Sequence, residues 1–124
     1  NIGLFCSTPM VALGRNVGRK HAMEMLLTGE AMDAATAYRF GLINRHVPNA
    51  ELDDAAMHFA ELIARKSSHT LRVGKEAFYR QQDMDLESAY AMAAEVMVQN
   101  MLAEDATEGM TAFIEKREPV WRDH

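Results

Sequence analysis

Little in this chain can be cross-linked, stiffened or inserted. Its 124 residues hold one cysteine, three prolines and one tryptophan. A lone thiol closes no internal disulfide, which fits a reducing compartment: the cytoplasm or, in a eukaryote, the mitochondrial matrix. No apolar run approaches the roughly 20 residues of a membrane span, and no charged-then-apolar leader precedes a small-residue cleavage site. A membrane is therefore not an expected partner. Positive charge is short too, with 13 Lys and Arg against 18 Asp and Glu, a formal net charge of −5. Without a basic stripe to neutralise phosphates, nucleic acid is not an expected partner either. Repeats, low-complexity segments and flexible linkers are also missing.

What remains is one domain's worth of ordinary soluble composition, 48% hydrophobic and 25% charged. Ten methionines stand out. They do not cluster with His or Cys, so flexible filling of apolar contacts accounts for them better than metal or redox chemistry. The chain opens on Asn1 rather than methionine, which reads as a piece of something longer, either processed or trimmed.

The periodicity is helical almost throughout. Asn1 to Ser7 is an apolar run without helical spacing, a strand or loop leaving an upstream core. Thr8-Pro9 reads as a cap followed by a first helical residue, opening a helix to about Asn16 that Gly18 closes. Arg19–Thr28 forms the next helix, stopped by Gly29. Asp33 caps a third, which runs through Phe40 to Gly41. Leu42 to Val47 alternates weakly and reads as a short edge strand ended by Pro48. Beyond Asn49 or Ala50, Leu52, Ala55, Ala56, Phe59, Leu62 and Ile63 keep helical spacing until Lys66-Ser67-Ser68. Helices are expected again over 71–82, interrupted only by Gly74, and over 86–102, capped by Asp85. The latter is apolar around most of its circumference, with Glu87, Glu95 and Gln99 as its polar stripe. Such a helix is buried on more than one side, the second side by another subunit. The fold class is mainly α with one short strand, and the only plausible joint lies near Pro48-Asn49-Ala50.

Candidate chemistry is thin. His58 and Glu61 form H-x-x-E on a helix with Asp54 one turn earlier, but a di-metal bundle needs a matching pair from another helix; an exposed polar face explains them, and no metal site is expected. Cys6 stands near a helix start, where a thiolate is favoured, yet no histidine has a triad spacing to it and Leu4 and Phe5 point to burial. Gly14 to Lys20 lacks the spacing and the preceding strand of a phosphate loop. His21, His46 and His69 have no partners nameable from sequence. Many carboxylates are present, but none beside a glycine-rich loop that could supply oxyanion donors. No catalytic residue is assigned.

The last helix, Glu108-Gly109-Met110-Thr111-Ala112-Phe113-Ile114-Glu115-Lys116-Arg117, carries Met110, Phe113, Ile114 and the Arg117 stem on one apolar face. Phe113 and Lys116 project from neighbouring positions, and Pro119 ends the helix soon after. This wording resembles the C-terminal phrase E-G-x-x-A-F-x-E-K-R of the crotonase superfamily, the enoyl-CoA hydratases and isomerases. Ala22 to Glu30 resembles that family's A-x-E-x-x-L-T-G-[DE], and Gly41 to Pro48 its G-L-[VI]-x-x-V-V-P. Three phrases in order, at about the family's spacing, cover nearly the whole chain.

The resemblance implies the back half of a crotonase. Residues 1–48 would end the spiral core, and residues 49–124 would form the helical trimerisation domain of a homo-oligomer, a trimer or hexamer. Phe113 and Lys116 would reach a neighbouring subunit's acyl-CoA, the ring beside the CoA and the ammonium near its phosphates. No other cofactor is implied. The oxyanion loop and both catalytic glutamates of this lyase family lie upstream of the phrase that Gly3-Leu4-Phe5 matches, so the piece itself should not hydrate. There is a departure as well. Typical members read G-L-x-P-G-x-G-G-T-Q-R-L, where this chain has Gly3-Leu4-Phe5-Cys6-Ser7-Thr8-Pro9-Met10-Val11-Ala12-Leu13. That wording is similar to the branch called enoyl-CoA hydratase domain-containing protein 3, whose members generally lack the usual glutamate pair. The other reading, from another class, is a helical oligomerisation or interaction module without ligand chemistry, motivated by the broad apolar face of residues 86–102.

Overall fold

The computed structural model describes residues 3–122, so Asn1 and Ile2 of the expected opening strand or loop lie outside the described residues. Among the described residues seven α-helices follow one another: α1 (Ser7–Asn16), α2 (Arg19–Thr28), α3 (Ala34–Arg39), α4 (Leu52–Ala64), α5 (Ser68–Gln81), α6 (Leu86–Met101) and α7 (Glu104–Glu115), with a 3₁₀ turn at Asn49–Glu51 leading into α4. The mainly helical class is as the periodicity predicts. The short strand is not: among the described residues no strand occurs, and 42–47 is a bend followed by irregular chain. An edge strand exists only against a neighbouring ladder, and none of the described segments supplies one.

The chain divides into two compact units, Asn1–Ala55 and Ala56–His124, with the division inside α4. In the first unit α1 starts at Ser7 rather than Pro9, with Cys6 at its cap and no side-chain cap bond. Pro9 therefore sits within the first turn, where its missing N–H would have had no helical partner anyway. Val17, Ala22 and Ala37 are the buried apolar residues of this unit. Beside them the His21 ring stacks on Phe40, centroids 3.6 Å apart and 14° from coplanar. Asp33 caps α3 as expected, accepting from the Thr36 N–H at 2.7 Å. At its other end the Gly41 N–H bonds to the Tyr38 carbonyl (3.1 Å) and the Leu42 N–H to that of Ala37 (2.9 Å). This double bond pattern requires a left-handed residue, and Gly41 supplies it at φ 78°.

In the second unit α5 begins three residues ahead of the expected Leu71. The Ser67 hydroxyl accepts from the Thr70 N–H at 3.1 Å, so Ser67, read from sequence as part of a helix end, is in fact a helix start. Asp85 caps α6 by accepting from both the N–H (3.0 Å) and the hydroxyl (2.7 Å) of Ser88. Along α6 the half-buried residues Ala89, Met92, Val96 and Asn100 form one stripe at helical spacing. The remaining apolar residues stay in water, Tyr90 at 72% and Leu102 at 80% exposed. Burial on one side only leaves the second side of this helix open within the chain.

Gly74 lies inside α5 with open space wherever a Cβ would project. Gly74→Ala is expected to stabilise the helix by about 1 kcal/mol, read as a higher melting temperature of the purified protein. A lower one would mean that something outside this chain approaches the backbone there.

Candidate functional site

Helix α7 is fixed by small and polar residues and exposes its large ones. Ala112 is 1% exposed and Asp105, in the first turn, 2%. Phe113, by contrast, is 85% exposed, and Met110 and Ile114 share its outward face. The helix ends at Glu115, two residues before the expected Arg117. The cause is Lys116, whose φ of 55° and ψ of 41° make it the only described non-glycine residue with positive φ. Its N–H bonds to the Phe113 carbonyl at 3.3 Å and the Arg117 N–H to the Ala112 carbonyl at 3.0 Å, the same helix stop that Gly41 provides for α3. In a residue with a Cβ that backbone costs about 1–2 kcal/mol.

Arg117 then turns away from the apolar face on which its stem was expected. Its guanidinium forks onto Glu108, Nη1 to Oε1 at 2.6 Å and Nη2 to Oε2 at 2.9 Å. Its Nε donates to Glu115 at 2.7 Å. Glu108 Oε1 also accepts from the Val120 N–H at 2.8 Å. The Arg117 hydrogen bonds first, and the Val120 N–H second, hold the Glu108 carboxyl down at about 2. Glu108 and then Glu115 raise Arg117 above its ordinary value.

This fork brings the tail back along α7. The Arg122 N–H donates to Asp105 at 2.7 Å. The Trp121 indole N–H donates to the Arg65 carbonyl, just beyond the end of α4, at 2.7 Å. The indole lies against Gly109, where a Cβ would come within 3.3 Å of the ring. Glycine is required there by contact rather than by φ. The indole is one wall of a groove of about 510 Å³ whose lining also includes Leu71, Met110 and Phe113, together with Thr70 and Lys66.

Of the two site residues expected from sequence, Phe113 lines this groove and Lys116 does not. The two stand three residues apart but no longer on one helix, because Lys116 has left it. The Lys116 ammonium makes no ion pair among the described residues, whereas Glu108, Gly109, Ala112, Glu115 and Arg117 of the same phrase all have work inside the chain. Sequence reasoning missed the Glu108–Arg117 fork, the seat of Trp121 and Lys66 among the residues that line the groove. A tryptophan in a seven-residue tail was the available signal.

Elsewhere the candidates separate. His58 is exposed, and Glu61 stands 4.0 Å from Arg65. Among the described residues no three His, Cys, Asp or Glu side chains gather as metal ligands would. Cys6 is exposed, as are Leu4 and Phe5, contrary to the burial expected of them. The histidines do find neighbours: His46 lies 5.4 Å from the Tyr38 ring, and His69 Nδ1 is 3.3 Å from Arg72. No described helix is long and apolar enough to cross a membrane.

Residues 1–124 match the family described as Enoyl-CoA hydratase/isomerase. The chain is 50% identical over 121 residues to the rat mitochondrial enoyl-CoA hydratase domain-containing protein 3, covering 98% of this chain and 40% of that one. Its fold superposes on the crystal structure of the human enoyl Coenzyme A hydratase domain-containing protein 3 with a TM-score of 0.94 at 49% identity, covering 98% of this chain and 48% of that one. For an enoyl-CoA hydratase from Mycobacterium smegmatis the values are 0.93, 51%, 98% and 47%. The chain thus spans about 40% of the length of curated relatives it matches.

With one tryptophan in the chain, emission from Trp121 reports the tail clasp. Glu108 titrates at about 2 here against an ordinary 4.5, so its contribution is complete above about 4.5 and is lost as pH falls toward 2. Emission is expected to hold steady from neutral pH to about 4.5 and then shift to the red. Glu108→Gln should give the shifted spectrum already at pH 7. A red shift complete by pH 5 would assign the clasp to a different group.

Proposed function

Because the chain belongs to the enoyl-CoA hydratase/isomerase family, the crotonase superfamily, we propose that it is the C-terminal portion of an acyl-CoA-binding protein of that family. In this reading it provides assembly surface and one wall of the ligand site, while the reacting acids and oxyanion donors come from outside it. Residues 1–48 end the spiral core, and residues 49–124 are the helical region through which a trimer, or a hexamer of two trimers, assembles. Phe113 stacks beside the CoA of the adjacent subunit, and the Lys116 ammonium meets its phosphates. The compartment is the one the relatives' name gives, mitochondrial, in a eukaryotic source.

The observation that carries this reading is the division of labour within residues 108–117. The charged residues Glu108, Glu115 and Arg117 of that stretch bond to one another inside the chain, while the Lys116 ammonium makes no ion pair among the described residues and Phe113, with Met110 and Ile114, faces outward. An exposed aromatic beside an unpaired cation suits a ligand with both a flat apolar part and phosphates. A second reading has its own support. The open side of α6, with Leu86, Tyr90, Met97, Val98, Met101 and Leu102 in water, suits a module whose task is assembly alone.

The two readings part at Lys116. In protein made from its complete gene, Lys116→Ala is expected to weaken CoA binding roughly tenfold, the worth of one hydrogen bond to a charged group. Oligomer size should not change. Calorimetric titration with CoA beside light scattering tests both. Unchanged CoA affinity would discard the ligand site and leave the assembly module.

A further inference from the structure

The Lys116 ammonium is surrounded in sequence by its own competitors. Glu115 precedes it, Glu118 follows two residues later, and the Glu108 carboxylate lies one fork away through Arg117. A lysine beside three carboxylates would ordinarily be screened or paired, and a paired ammonium attracts phosphate poorly. Here two of the three, Glu108 and Glu115, are already taken. Arg117 spends Nη1 and Nη2 on Glu108 and Nε on Glu115, and its Nη1 also reaches the Glu118 carbonyl at 3.2 Å. All three guanidinium nitrogens are engaged, so the two acids face the arginine rather than the lysine. The same contacts fix the chain immediately after Lys116, while the bonds to the Phe113 and Ala112 carbonyls fix it immediately before. Lys116 is therefore clamped on both sides in a left-handed conformation that its own side chain disfavours.

We infer that Arg117 is a positioning residue for Lys116: it sequesters the Glu108 and Glu115 carboxylates and locks the backbone turn, leaving the neighbouring ammonium unpaired and aimed at a phosphate-bearing ligand. This rests on the reading of Lys116 as a CoA contact. Lysine cannot replace Arg117, since an ammonium has no planar fork to hold two carboxylates at once.

The test uses protein from the complete gene, in its native assembly, titrated with CoA and with an acyl-pantetheine that carries no phosphate. Arg117→Gln is expected to weaken CoA binding about fivefold, the scale of an exposed ion pair redirected onto Lys116, and to leave acyl-pantetheine binding unchanged. Adding Glu115→Gln to Arg117→Gln should restore most of the loss, because the freed competitor is gone. A merely structural arginine would weaken both ligands, and the second substitution would not rescue it; either result overturns the proposal. Should Arg117→Gln fail to assemble, Glu115→Gln alone decides. With its charge already held by Arg117, its removal should alter CoA affinity less than about twofold, and a several-fold gain would refute the sequestration. Lys116→Ala runs in parallel. If it binds CoA normally, the ligand reading itself has failed; if it binds weakly while Arg117→Gln does not, only the positioning role has.

Discussion

The limiting constraint on this chain is how little apolar surface it can bury against itself. Nearly half its residues are hydrophobic, yet among the described residues the buried apolar side chains are Val17, Ala22, Ala37 and Ala112, none larger than valine. Three of the four are alanines, which let backbones approach but remove little area from water. The large residues that would normally make a core, Phe59, Phe78, Met97, Phe113 and their neighbours, line outer faces instead. Helices that bury so narrow a stripe gain little from packing within the chain. Caps, helix stops and the tail clasp then carry an unusual share of the local order.

That share is most visible in α7. A helix capped by Ala103, which offers no side-chain acceptor, has its first turn occupied by Asp105 and the Arg122 N–H, its middle by the Glu108–Arg117 fork and by Trp121 against Gly109, and its last residue by the Arg117 bond to Glu115. The tail thus works as an external brace along one face and leaves Phe113 beside it, and Ile114 farther round, exposed to whatever lies outside the chain. Asp105 and Glu108 sit one turn apart, so one edge of the helix receives both tail contacts.

Much of this was legible in advance where a local rule decides. Asp33 and Asp85 announce their helices because a carboxylate preceding a helical run has one natural use, and Gly29 and Gly41 mark their stops for the complementary reason. Position 67 was misread because serine next to lysine serves equally as the end of one helix or the start of another, and the direction is set by which N–H it meets. The expected strand at 42–47 failed for a non-local reason, since alternation says nothing about whether a partner strand exists. The fork from Arg117 to Glu108 was hidden more deeply. Nine residues is no helical contact distance, and the pair meets only because Lys116 reverses the chain between them. Phe113 and Lys116 came from resemblance to a family phrase. The geometry adds why the rest of that phrase has its wording: Glu, Gly, Ala, Glu and Arg are brace and seat.

The reversal at Lys116 also bears on how this position can drift. Asparagine tolerates a left-handed backbone better than lysine does and lies a single base change away in the genetic code. Folding alone would therefore favour the exchange, and it would arise often. A lineage that keeps lysine at the turn is resisting a cheap and locally stabilising substitution, which makes this one codon a record of whether selection still acts on the ammonium.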